Sequence, residues 1–308
     1  MITPFRHALV TGGAGFIGHH LARGLLDRGL EVTVLDDLSV GRRENVPGEA
    51  RFIEGDIRDP ASVDRALEDV DCVFHEAAIV TIRGSVGKFR TDADVNLMGT
   101  LNLLERLEGR GVRRAVLASS MAVYADAPTP DPIPESYRTE PISPYGVAKL
   151  AAERYWLLMC PRFDAEPVVL RYFNTYGPGQ TPTPYVGVIT IFVERLLAGR
   201  VPVIFGDGQQ RRDFVNVADV VRANLLALER APGGDVFNVG TGRATSVLDI
   251  ATALIEDLAP GTSPGFEPGR AEEMRNSVAD ISAIRRLGYE PAFPTIDYSR
   301  VVDWLRRS

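Results

Sequence analysis

Between an apolar run at 7–11 and a helical pattern from about 16 lies Thr11-Gly12-Gly13-Ala14-Gly15-Phe16-Ile17-Gly18. Few folds are open to a strand that must turn into a helix through glycines at 12, 15 and 18. Gly12 permits the tight turn, Gly15 lets a ligand approach the backbone, and Gly18 lets the helix pack against the strand. The helix start then offers the N–H groups around Phe16 and Ile17 to an anion, which in this setting is a pyrophosphate. Asp36 closes the next apolar run, placed to accept from both hydroxyls of a ribose. A carboxylate there repels a 2′-phosphate, so the spacing predicts NAD rather than NADP. Arg42 and Arg43 lie close by and either answer a phosphate or solvate the surface.

The first half of the chain alternates apolar runs at 7–11, 31–35, 51–54, 72–75, 113–118 and 167–171 with helical patterns near 16–28, 60–68, 86–108 and 144–161. That alternation predicts βαβ units, right-handed crossovers and a parallel sheet. The fold class is therefore α/β, a Rossmann-type doubly wound parallel sheet with a smaller C-terminal substrate-binding domain. The dinucleotide-binding part spans 1–170, with part of 212–236 returning to it, and 171–308 mainly holds substrate. Helices are expected there near 185–199, 217–230 and 246–258, with short strands between. Within the first part, Asp56 and Ile57 follow the third strand and can flank an adenine, with the aspartate toward its amino group. Ala77 and Ala78, small residues after the fourth strand, leave room for the dinucleotide. Asn96, inside a helix, is either a polar bridge near the site or an exposed residue. The loop 125–142 carries five prolines and is a candidate rim.

A net charge of −7 speaks against nucleic acid or an anionic membrane as partner. No stretch approaches the ~18 apolar residues of a membrane span, and the start has no apolar leader core. Cys72 and Cys160 read as buried thiols in a reducing compartment, which predicts a cytoplasmic protein. The histidines at 7, 19, 20 and 75 have no ligand spacing, so no metal is expected.

Ser143-Pro144-Tyr145-Gly146-Val147-Ala148-Lys149 reads as a helix start, with Ser143 as N-cap and Pro144 in the first helical position. Tyr145 and Lys149 then share a helix face. A phenol beside a fixed positive charge has its pKa lowered and can serve as a general base. The chain holds 32 Arg against two Lys, Lys88 and Lys149, and 9 Tyr, so a chance Tyr-x-x-x-Lys is expected about 9 × 2/308 ≈ 0.06 times.

With the glycine turn, Ser119-Ser120-x-x-Val123-Tyr124 and Tyr145-x-x-x-Lys149 in order, the chain resembles the extended short-chain dehydrogenase/reductase family. Within it, the chain is similar to nucleotide-sugar 4-epimerases acting on UDP-glucose and UDP-N-acetylglucosamine. The resemblance runs nearly end to end and implies tightly held NAD, reduced and reoxidised within one turnover. It assigns Ser120, Tyr145 and Lys149 to catalysis, with Ser119 beside them. Met121 and Ala122 stand where relatives that dehydrate carry an acid pair and decarboxylases a glutamate; neither can move a proton.

The resemblance also implies substrate contacts: Asn174 and Arg212 on the diphosphate with Arg270, Val188 in the stretch that packs on the nucleotide, and Met121 beside the sugar. Ser277 takes the place of a gate against the C2 substituent, and its small size implies tolerance of an N-acetyl group. The expected substrate is thus a UDP-hexose, UDP-Glc/Gal and also UDP-GlcNAc/GalNAc. Ala125, Gly179 and Met121 depart from the usual pattern around C5 and C6. Decarboxylation, 5,6-elimination or net dehydrogenation would begin with the same C4 oxidation, and a non-catalytic NAD-binding protein would keep the fold. Relatives pair through two long helices, which implies a homodimer through 86–108 and 144–161.

Overall fold

A computed structural model describes residues 4–80, 87–181, 187–269 and 274–307. Six apolar runs form β1 (His7–Thr11), β2 (Glu31–Asp36), β3 (Arg51–Glu54), β4 (Cys72–His75), β5 (Arg114–Ser120) and β6 (Glu166–Tyr172). Further along lie β7 (Asn174–Tyr176), β8 (Val203–Phe205), β9 (Arg211–Arg212), β10 (Phe214–Asn216) and β11 (Asp235–Val239). The last strands are β12 (Thr245–Ser246), β13 (Gly265–Glu267) and β14 (Asn276–Ser277). The main sheet has seven parallel strands in the order β11-β6-β5-β4-β1-β2-β3. The winding reverses between β1 and β4, and the crevice beyond their carboxyl ends is where such sheets bind ligands.

The helices are α1 (Phe16–Leu26), α2 (Pro60–Ala66), α3 (Phe89–Ala93), α4 (Gly99–Glu105), α5 (Pro144–Met159), α6 (Val188–Leu197), α7 (Val217–Arg230), α8 (Val247–Leu258), α9 (Ser282–Arg285) and α10 (Ser299–Leu305). Alternation along the strands divides the core in two. Val10, Val34, Phe74 and Val116 pack on one face with Leu21 of α1 and Val220 of α7. Leu9, Leu35, Val73 and Leu117 pack on the other with Val63 of α2, Leu103 of α4 and Trp156 of α5. A third core joins Phe192 of α6, Leu254 of α8 and Val301 of α10. Through α7 and β11 the chain returns to the main sheet at 217–239.

Three differences from the sequence reading bear on function. β5 runs to Ser120 rather than 118, because Ser119 and Ser120 keep pairing with Arg171 and Tyr172 of β6. The pattern at 86–108 becomes α3 and α4 joined by a π-helical turn, Asp94–Met98. Helix α6 begins at Val188, and residues 182–186 lie outside the described part. No helix among the described residues is long and apolar enough to cross a membrane. Cys72 and Cys160 are free and buried.

Candidate active site

Gly12 has a left-handed backbone (φ +69°), and a Cβ there would stand 2.7 Å from the Ala77 backbone. A Cβ at Gly18 would collide with the Gly12 carbonyl, so the turn and α1 are as close as two backbones allow. Gly15, the N-cap of α1, offers no side-chain cap, which leaves the first-turn N–H groups of Phe16 and Ile17 available to an anion. Asp36 is drawn onto this turn: Ala14 N donates to its Oδ2 at 2.9 Å and Leu38 N to its Oδ1 at 2.9 Å. Burial raises its pKa. Arg43 stacks over Phe52 and Arg42 pairs with Glu44, so both have protein partners. This cradle fits a dinucleotide with free ribose hydroxyls.

The far wall is built by β4. Thr11 Oγ1 bonds His75 Nδ1 at 2.7 Å, and Ala77 N donates to the same Thr11 oxygen at 3.3 Å. Asn96, in the π turn, is a buried bridge: its Oδ1 accepts from Ile79 N at 2.9 Å and its Nδ2 donates to Ile79 O at 3.0 Å. It thereby holds the chain that follows Ala77 and Ala78. Asp56 is engaged by Arg58, which also reaches Asp94, while Ile57 is a core residue against Gly99. The carboxylate of Asp56 is thus tied into an ion pair with Arg58.

Ser120, Tyr145 and Lys149 come together at the carboxyl ends of β4 and β5. Ser143 caps α5, with Gly146 N donating to its Oγ at 3.1 Å, and Pro144 occupies the first turn as expected. Ser120 accepts from Ala122 N at 3.2 Å, and its hydroxyl lies near enough to the Tyr145 phenol to favour the phenolate. Lys149 Nζ donates to Ala118 O at 2.9 Å. Ser119 departs from expectation: alternation turns it to the other face, where it donates to Glu153. Glu153 in turn forms a buried pair with Arg171 at 2.7 Å.

The electrostatics also depart. Where the sequence predicts a phenol pKa lowered by Lys149, Tyr145 is pushed upward, chiefly by burial and further by Asp92 and Glu76, while the nearby Ser120 hydroxyl opposes this. Lys149 itself is lowered to about 8 by burial, against the pull of Glu76, Asp92 and Glu153. Neither Glu76 nor Asp92 was singled out from sequence. For Glu76 the available signal was a carboxylate directly after an apolar parallel strand, at the ligand-binding edge of the sheet; Asp92, inside α3, offered no such signal.

The substrate candidates are spread over the second half. Asn174 opens β7, its Nδ2 donating to Asp213 O at 3.3 Å. Arg212 is buried, with Nη1 donating to Arg211 O at 2.8 Å. β9 pairs with β14, setting Arg212 beside Ser277. Ser277 is buried, and its Oγ has no hydrogen-bond partner among the described residues. Val188 is half-buried at the start of α6, and Met121 is nine-tenths buried in the turn after Ser120. Arg270 lies outside the described residues.

A parallel sheet reversed at β1 and β4, a glycine cradle and a Ser–Tyr–Lys group at its carboxyl edge define a dinucleotide-dependent enzyme of the short-chain dehydrogenase/reductase class. More particularly, the chain belongs to the NAD dependent epimerase/dehydratase family, whose model matches residues 8–240. It is 40% identical over 291 residues to the UDP-glucose 4-epimerase of Mycolicibacterium smegmatis, covering 92% of this chain and 93% of that protein. The UDP-glucose 4-epimerase of Thermotoga maritima, solved with UDP-glucose, superposes with a TM-score of 0.92 at 39% identity, covering 98% and 99% of the two chains. The UDP-N-acetylglucosamine 4-epimerase of Methanobrevibacter ruminantium, in complex with UDP-N-acetylmuramic acid, gives 0.89 at 32% identity, covering 98% and 97%.

Proposed function

We propose that this protein is an NAD-dependent 4-epimerase of a UDP-hexose, acting on UDP-Glc/Gal and also on UDP-GlcNAc/GalNAc. The observation that carries the reading is Tyr145 and Lys149 gathered with Ser120 at the sheet edge, with Met121 and Ala122 rather than acids in the turn after Ser120. When bound in the glycine cradle, NAD supplies the oxidant for C4 and the reductant that restores it. Tyr145 takes the 4-OH proton through Ser120 and later returns it. Lys149 holds positive charge beside the phenol, and Asp36 takes the adenosine ribose. Asn174, Arg212 and Arg270 are assigned to the diphosphate and Val188 to the nucleotide, leaving the sugar free to present either face. Residues 1–170 with the returning segment hold the cofactor, and 171–308 mainly hold the nucleotide sugar.

We further propose a cytoplasmic homodimer. Free buried thiols at Cys72 and Cys160 support a reducing compartment. Exposed apolar side chains on the helices at 89–105 and 144–159 support the dimer.

The test is proton NMR of the sugar anomeric region, with purified protein on UDP-glucose and UDP-N-acetylglucosamine separately. Galacto signals at unchanged product mass are expected for both. Loss of carbon dioxide or water would move the reading to the decarboxylase or elimination branch. An N-acetyl to plain-sugar ratio of kcat/KM far below one-hundredth would remove the assignment of Ser277 as a permissive gate.

A further inference from the structure

A phenol as buried as Tyr145 makes a poor base unless a positive charge reaches it, yet Lys149 stands among carboxyls. Glu76 and Asp92 both draw on the Lys149 ammonium and both oppose ionisation of Tyr145. Asp92, on α3, is 2% exposed, and neither of its oxygens has a hydrogen-bond partner among the described residues. The Asn96 amide lies near enough to favour its charge, but donates to Ile79 O instead. Glu76 follows β4 and is half-buried. Tyr172 of β6 donates its hydroxyl to Glu76 Oε1 at 2.7 Å, and Asn224 Nδ2 of α7 donates to that hydroxyl at 2.7 Å. Asn224 has only hydrogens to give there, so the Tyr172 proton stays on the Glu76 side.

The other groups around Glu76 are neutral or balanced. His75 on β4 is held between Thr11 and Thr100 and kept uncharged by burial. On β5, Ser120 lies near Tyr145 and Ser119 donates to Glu153, whose charge meets Arg171. Asp92 and Glu76 are thus the charged groups that oppose ionisation of Tyr145, and both draw on Lys149, whose Nζ bonds Ala118 O one residue past the Leu117 that pairs with His75.

We propose, on the epimerase reading, that Glu76 is a positioning residue: when its carboxyl is protonated, the Lys149 charge acts on Tyr145, and when it is ionised, that charge is cancelled. With both acids ionised, the cluster already carries a net −1, and a phenolate would make it −2. With Glu76 neutral, the phenolate brings the cluster only to −1, the cheaper state in a low-dielectric site. The proton on Glu76 is exchanged with solvent and is not consumed. Burial lifts Glu76 to about 7, so the two states exchange near neutral pH.

Glu76→Gln keeps the shape and the acceptor for Tyr172 while fixing the neutral state. The ratio of kcat, variant over wild type, should be near one at pH 6 and rise several-fold by pH 8.5, with KM little changed. Tyr172→Phe, which removes the donor favouring the ionised form, should move the profile in the same direction by less. A flat ratio across this range for both variants overturns the proposal. A second readout needs no turnover. A native pKa above the unfolded value makes ionisation of Glu76 destabilising as pH rises from ~4.3 toward 7. The Tm gain of Glu76→Gln should thus be smallest at pH 5 and larger at pH 8, and a pH-independent gain overturns the proposal. A wild type that epimerises nothing at any pH would sink the epimerase reading instead, and the Tm series would then decide the state of Glu76 alone.

Discussion

At Gly146 the chain has no room for one more carbon. A Cβ there would penetrate the Ala122 carbonyl oxygen and stand 2.8 Å from Pro141 Cβ. The contact joins the first turn of α5, which carries Tyr145, to the turn after Ser120, so it sets how closely phenol and hydroxyl approach. Ala122 O is backbone and cannot rotate away, and the helix must move instead. Gly146→Ala is therefore expected to cost about 1–3 kcal/mol of stability, the range for overpacking, measurable by denaturant melts. Its kcat should fall by more than tenfold while NAD affinity, set at Gly12–Gly18, changes little. An unchanged kcat would mean that the Ser120–Tyr145 approach does not depend on this contact.

The elements differ in how far the sequence revealed them. The strands of a sheet covered on both faces are continuous apolar runs, and β1 to β4 were readable from those runs almost to the residue. The start of α5 was readable from Ser143 and Pro144, each of which has one physical use there. The π turn was not, because the apolar spacing of the helix tolerates one extra residue. Asn96 lies in that turn and bonds the backbone of Ile79. Nor could the helix face shared by Tyr145 and Lys149 disclose two carboxyls arriving from 76 and 92, since their convergence exists only in the folded sheet. The motif singled out Ser120, but that Ser119 turns away to Glu153 on the other face was visible only once β5 had run to Ser120. Asn96→Ala tests the value of the π turn. It strips Ile79 N–H and C=O of partners, which should cost about 1–3 kcal/mol. It should also weaken NAD binding by calorimetry, because the wall at Ala77 and Ala78 loses its anchor. Loss of stability with unchanged NAD affinity would confine Asn96 to a structural part.

At the scale of the whole molecule, the apolar surface is unevenly placed. Phe89, Met98, Val147, Tyr155 and Leu158 are 63%, 52%, 55%, 45% and 54% exposed, and all lie on the helices at 89–105 and 144–159. Tyr155 and Leu158 are three residues apart and form one stripe, while Tyr145 and Lys149 of the same helix are buried on its sheet-facing side. Large aromatic and aliphatic groups gathered on two adjacent helices mark a surface that water does not favour. A second copy related by a two-fold axis would cover both helices at once, with the same patch on each side. Helix α5 would then be held between the active site and the partner. The double substitution Tyr155→Glu with Leu158→Glu should convert a dimer into a monomer in sedimentation equilibrium. Tm should become independent of protein concentration in the variant, whereas in the wild type it should rise with concentration. Because α5 carries Tyr145 and Lys149, the monomer should also lose kcat while its NAD cradle on α1 keeps its affinity. A wild type that sediments as a monomer at tens of micromolar would end the dimer proposal and leave these side chains as an unpaired surface.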